Sequence, residues 1–187
     1  IVLSANFITN FIIIFIAKCY LNMDVGIVGT LMLVAKLLDG VTDFIFGAIM
    51  DRCHSKYGKA RPWLVGGAIP LGVSGILLFF IPETGGWLPY AYFFVFYLIY
   101  NAVSYTIVML SYNAMNALIT KIDSERVTMN VVSYTVVLFA NILINSLTLG
   151  TVEALGNTVS AWRIVMTIFT TAGTILILLS GLTVKEL

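Results

Sequence analysis

Lys36, Asp39 and Asp43 sit in an otherwise apolar run, "GIVGTLMLVAKLLDGVTDFIFGAIM", residues 26 to 50. At 100° per residue the three fall within about 60° of one another on a helix. Gly47 continues the same face. Each charged residue at the centre of a membrane helix costs about 2.5–3.5 kcal/mol on insertion scales, so three facing lipid would cost about 7–10 kcal/mol. They are therefore expected to face a bundle interior or a water-filled cavity. Two uses fit. Lys36 can pair with one aspartate and fix helix packing, which leaves the second aspartate over. Alternatively, two carboxylates one turn apart form an anionic pocket for a small cation. Hard oxygen ligands suit Na⁺, Li⁺ or a proton, and Lys36 then compensates charge when the cation is absent. A catalytic carboxylate pair is a third use, but no nucleophile accompanies it. Cys53 and His54 are too few ligands for a zinc site, so no metal is expected beyond the coupling cation, and no cofactor.

Helix four supplies a second polar face. Asn101, Tyr105, Tyr112 and Asn116 fall within about 60° on a helical wheel. Ring faces and amide hydrogen bonds suit a polyhydroxylated ligand, and the same residue types also glue membrane helices together. Asn141 and Asn145, one turn apart, carry the same ambiguity. Between the two faces lies the basic loop "DRCHSKYGKARP". It is a solvated loop or a charged latch.

The elements that position these residues are set by composition. The 187 residues are 60% hydrophobic and 10% charged, against about 25% charged in a soluble domain. Such a chain could not cover its surface in water. Apolar runs of about 20 residues match the thickness of a bilayer, and the ~10-residue alternation of a membrane barrel is absent. The fold class expected is an all-α polytopic membrane protein with six transmembrane helices, at about 1–19, 26–50, 63–81, 88–112, 128–150 and 162–183, as one bundle over 1–187. Pro62, Pro82 and Pro89 sit near span ends, while Pro70 lies within the third span. Trp63, Trp87 and Trp162 mark span ends, as an aromatic belt does. Arg52, Lys56, Lys59, Arg61, Lys121, Arg126 and Lys185 gather in connectors on one side, with only Lys18 and Arg163 on the other. The basic side is the cytoplasmic one, which places both chain ends in the cytoplasm and the protein in the plasma (inner) membrane. Cys19 and Cys53 should then face opposite sides, too far apart for a disulfide. A net charge of +1 gives no reason to expect nucleic acid. The first residue is Ile, without a basic leader or cleavage site, as in the interior of a longer reading frame.

With these residues placed, the chain resembles the glycoside–pentoside–hexuronide:cation symporters, the melibiose permease group of the major facilitator superfamily. The likeness covers nearly the whole chain. It is strongest where Asp39, Asp43, Gly47 and Arg61-Pro62-Trp63 match the family's Asp pair, glycine and basic loop, with Phe44 in place of a usual proline. Gly47, Asp51 and Arg52 resemble the G-x-x-x-D-R opening of the major facilitator loop between helices two and three. A second match is "YNAMNALITKIDSERVTM". The resemblance implies the N-terminal six-helix half of a major facilitator fold, with a C-terminal six-helix half elsewhere in the full-length chain. It implies symport of a sugar or glycoside with Na⁺, H⁺ or Li⁺ by alternating access in the lipid bilayer. Asp39, Asp43 and Thr106 would bind the cation. Lys36, Asn101, Tyr105, Tyr112 and Asn116 would bind substrate, and Gly47, Asp51, Arg52 and Arg61 would gate the cytoplasmic side. The chain departs from the melibiose members at Met109, where they carry an acid, and in lacking any Arg or Lys from 128 to 150. It also has no aspartate from 1 to 18, where they carry one that binds the sugar. The rival expectation is a membrane sensor or assembly protein that keeps the fold without transporting.

Overall fold

The computed structural model describes residues 8–9, 11–16, 23–52, 60–119 and 122–183. Among them all regular structure is helical. In chain order the elements are α1 (helical at 8–9 and 11–16), α2 (Val25–Arg52), α3 (Arg61–Leu77), α4 (Leu88–Leu98), a π-helical segment (Ile99–Tyr105), α5 (Thr106–Ile119), α6 (Asp123–Ala154) and α7 (Val159–Thr183). α4, the π segment and α5 run on without a break as one rod. Four elements are long and apolar enough to cross a bilayer: α2, the rod from Leu88 to Asn116, α6 and α7. The third expected span is shorter as a helix, since α3 ends at Leu77. The first extends beyond the described residues.

α3 is the centre of the packing and touches α7, α5, the π segment and α4. Lipid tails are as apolar as leucine, so burial of hydrocarbon does not drive helices together. Close van der Waals packing through small residues does. Glycines supply it here. A Cβ at Gly67 would lie 2.9 Å from Val108 Cγ2, and one at Gly75 would lie 2.8 Å from Ile8 Cδ1. A Cβ at Gly72 would collide with Thr174 of α7, and one at Gly181 of α7 would lie 2.9 Å from Val65 Cγ2. Aromatic rings fill the wider end. Phe15 of α1 lies 5.4 Å from Phe79 and 6.1 Å from Trp162, which is fully buried.

Two arginines tie the antiparallel α3 and α7 at both ends. The last carbonyls of a helix have no partner inside it. Arg61, first residue of α3, donates to the carbonyls of Gly181 (2.6 Å) and Leu182 at the end of α7. Arg163, in the first turn of α7, donates to the carbonyls of Phe79 (3.1 Å) and Ile81 (3.2 Å) just past α3. The third apolar run leaves the helix at Leu77, whose carbonyl accepts from the Tyr92 hydroxyl at 3.0 Å, although its hydrophobic residues continue to Ile81.

α6 and α7 are joined by a left-handed turn. Gly156 has φ 83°, its N–H donates to Glu153, and the N–H of Asn157 reaches back to Val152 at 2.9 Å, a Schellman-type stop. Asn157 Oδ1 then accepts the indole N–H of Trp162 at 2.9 Å, and Thr158 caps α7 through the Ala161 N–H at 3.2 Å. α6 starts at Asp123, before its apolar span, because Asp123 and Glu125 suit the positive end of a helix.

Candidate functional site

α2 crosses the rod of helix four at the π segment and α5, and the ionisable residues meet its partners there. Lys36 Nζ lies 3.3 Å from Asp39 Oδ2 and donates to Asn101 Oδ1 at 3.3 Å. Thr106 Oγ1 donates to Asp39 Oδ1 at 3.0 Å. Asn101 is buried, and its amide nitrogen lies 3.4 Å from the hydroxyl of Tyr97. Asp39 is thus held on one oxygen by an ammonium and on the other by a hydroxyl. Asp39 is 16% exposed and Lys36 is 53% exposed, so the pair is open on the Lys36 side.

The π segment makes this meeting possible. Asn101 and Thr106 are five residues apart. In an α-helix five steps turn about 500°, which would leave them about 140° apart. In π geometry, which closes at i→i+5, five residues make little more than one turn. Both side chains therefore face α2. The sequence carries no pattern that announces a π turn, and the wheel drawn for an unbroken α-helix misplaces the residues C-terminal to the turn. Asn101, Tyr105, Tyr112 and Asn116 meet different partners. Asn101 faces Lys36, and Tyr105 lies within electrostatic reach of Asp39, Asp43 and Tyr134. Tyr112 and Asn116 line a groove against α6 with Met109, Asn113, Asn130, Ser133, Tyr134 and Val137.

That groove holds about 50 Å³, room for one or two waters or one edge of a sugar ring. Its polar groups are amides, phenols and a hydroxyl, all neutral. Asn113, Asn130, Ser133 and Tyr134 escaped the sequence reading because the register of α6 against α5 cannot be read from either helix alone. Met109 lies in this groove, and its thioether adds an apolar wall where an acid would add a charge. A separate, largely apolar cavity of about 130 Å³ is lined by residues such as Leu71, Ile144, Phe169 and Ile177, with Tyr100, Thr170 and Thr174, and has no ionisable carboxylate or amine in its wall.

Asp43 is exposed one turn along from Asp39 and makes no hydrogen bond or ion pair with any described residue. Gly47, with open space where a Cβ would be, leads to Asp51 and Arg52 at the end of α2, both exposed. Arg61 is engaged with the last carbonyls of α7. The loop from 53 to 59, with Cys53, His54, Lys56 and Lys59, lies outside the described residues, as do Lys18, Cys19, Lys121 and Lys185. Among the described residues no three of His, Cys, Asp and Glu gather as a metal site. Asn145 folds back on its own helix, donating to the Asn141 carbonyl at 2.6 Å.

Comparison with known proteins places the chain in a family. The family profile described as MFS/sugar transport protein matches residues 2–187. The chain is similar to YagG of Escherichia coli, a protein named for glycoside/cation symport (36% identical over 118 residues, 63% of this chain and 25% of that protein). It is similar to the inner membrane symporter YicJ of the same organism (32% over 108 residues, 58% and 23%). It is also similar to the isoprimeverose transporter of Lactiplantibacillus pentosus (31% over 139 residues, 70% and 27%). The aligned part spans about a quarter of each of these relatives.

Proposed function

The chain belongs to the MFS/sugar transport protein family, a family of multi-pass membrane transporters rather than enzymes, and from that premise we propose that it is the N-terminal six-helix half of a cation-coupled symporter for a sugar or glycoside. The observation that carries the reading is Asp39, held in the middle of α2 between the Lys36 ammonium and the Thr106 hydroxyl. A small cation entering there displaces Lys36 and is met by the carboxylates of Asp39 and Asp43 and the oxygen of Thr106. Na⁺, Li⁺ and H⁺ all suit these ligands. A membrane sensor built on the same fold has no need for two carboxylates one turn apart in a membrane span.

The substrate side of the proposal is the neutral groove of Tyr112, Asn113, Asn116, Asn130, Ser133 and Tyr134, with Lys36, Asn101 and Tyr105 at the boundary with the cation site. Amides and phenols pair with sugar hydroxyls in both directions. A groove this small takes one edge of a ring, so the rest of the site belongs to a C-terminal six-helix half. The two halves rock about the shared site. Gly47, Asp51, Arg52 and Arg61 act on the cytoplasmic side, where both ends of this chain lie in the plasma (inner) membrane.

The test is transport by the full-length protein. Asp39→Asn should reduce cation-stimulated uptake at least tenfold, and Asp43→Asn should raise the cation concentration needed for half-maximal uptake. Uptake that keeps its cation dependence in both variants would sink the proposal.

A further inference from the structure

Many hydroxyls in the regular helices bond back onto their own helix. Ser74, Ser111, Thr135, Thr148 and Thr174 each donate to the carbonyl four residues back, at 2.6–2.9 Å. Two residues around the π segment do not. Ser104 Oγ is buried and makes no hydrogen bond, and Thr106 donates across to Asp39 instead. Thr170 is also without a partner, but it lies in regular α-helix, where register is not at issue. A buried hydroxyl with no partner is unfavourable. In α register Ser104 would meet the carbonyl of Tyr100, and Thr106 would meet that of Ala102. One register therefore satisfies Asp39 and leaves Ser104 unmet. The other satisfies Ser104 and releases Asp39.

We propose that the π turn at Ile99–Tyr105 is a register switch that couples cation occupancy at Asp39 to the substrate groove. The proposal rests on the reading of Asp39 as a cation ligand. Resolving the π turn into α rotates α5 by about a quarter turn relative to α4, the difference between the two angular steps over five residues. That swings Thr106 off Asp39. It also turns Tyr112 and Asn116 away from Asn130 and Tyr134, because the groove lies beyond the turn. A cation bridging Asp39 and Thr106 holds the π register and with it the assembled groove. By linkage, substrate in the groove raises cation affinity by the same factor. Symport then arises from one bistable segment that both ligands favour in the same state. Such π turns recur at functional sites in other helices.

The full-length protein in lipid nanodiscs provides the test, through amide hydrogen exchange in the peptide 99–110. Exchange is measured in choline chloride and after addition of NaCl or LiCl. Uptake of a radiolabelled β-galactoside or β-xyloside is measured in cells with the same cations. The cation that stimulates uptake should slow exchange in this peptide at least threefold. Where protons alone drive uptake, Asp39→Asn stands in for the protonated site and should show the slowing by itself. Ser104→Ala removes what the α register gains. It should slow exchange in choline, lower the cation concentration for half-maximal uptake about threefold, and reduce the maximal rate. Deleting Val103, an exposed residue, should produce an unbroken α-helix that keeps Asn101 and Thr106 on one face. It should retain cation dependence and lose at least tenfold in rate, with thermal melting confirming that the variant is folded. Exchange that ignores the cation while uptake depends on it would overturn the switch and leave the symport reading standing. So would a Val103 deletion that transports like the parent. Uptake that ignores every cation would overturn both.

Discussion

The α3–α7 pair and the face formed by α2, α5 and α6 are made from similar apolar sequence, yet they are finished differently. α3 and α7 meet through Gly72, Gly75 and Gly181, and an arginine of each helix donates to backbone carbonyls at or just past the end of the other. The other face presents Leu37, Phe44, Leu138 and Ile142, each more than half exposed, beside Lys36 and Asp43. Backbones that approach within glycine distance cannot slide, whereas a face with open space along it can accept a partner and part from it. The first region holds the half together as one body. On the proposed function, the second is where cation, substrate and a C-terminal half would be accommodated.

Equal substitutions on the two regions should therefore fail in different ways. Gly72→Leu drives a side chain into Thr174 and should destabilise the bundle by about 3 kcal/mol, the upper end for overpacking. The measurement is the yield and melting temperature of full-length protein in detergent. Gly66→Leu on the same helix has nothing within 4 Å of its Cβ and should express normally. Gly40→Leu on α2 also meets nothing, so folding should survive, but transport should fall because that face serves the moving interface. Similar yields for Gly72→Leu and Gly40→Leu would erase the distinction between the regions.

Arg163→Ala comes next in size. It leaves the carbonyls of Phe79 and Ile81 without their donor and removes the guanidinium placed 5.3 Å above the ring of Phe80. Hydrogen bonds from charged groups contribute about 1.5–3 kcal/mol each, less where water can replace them. Arg163 is 27% exposed, so a loss of about 2 kcal/mol is expected, read as a lower melting temperature with cation dependence of uptake unchanged. Arg61→Ala should behave alike at the other end. If it instead alters the rate of uptake while stability holds, Arg61 acts on the gate as well as on α7.

The helical class and the intramembrane charges were legible because each depends on local sequence, whereas the meeting of α2 with helix four followed only from the resemblance that joined Thr106 to Asp39. Hydrophobic length gives the four long spans, and the cost of a charge in lipid gives the expectation of an inward face, on which Asp39 packs against helix four while Lys36 stays half exposed. Three things were not legible. The π turn leaves hydrophobic periodicity almost untouched, so nothing in the sequence says that Asn101 and Thr106, five residues apart, both face α2. Asn113, Asn130, Ser133 and Tyr134 join the groove through the register of two helices, a property of the pair. Arg61 and Arg163 look like topology signals in sequence, since nothing local says that each reaches the far end of another helix.

Glu83→Gln is the smallest expected effect and the sharpest on what the arginine caps are made of. Glu83 Oε1 lies 3.3 Å from Arg163 Nη2, but the carboxylate is 59% exposed. An exposed ion pair contributes about 0–1 kcal/mol and fades with salt. The carbonyls of Phe79 and Ile81 do not depend on the charge of Glu83, and the neutral amide can still accept from the guanidinium. Glu83→Gln should therefore shift the melting temperature far less than Arg163→Ala, and that small shift should vanish in high salt. A shift as large as that of Arg163→Ala would mean that the ion pair, rather than the capped carbonyls, secures α3 to α7, and the rigid region would then be held by the same kind of force as the open one.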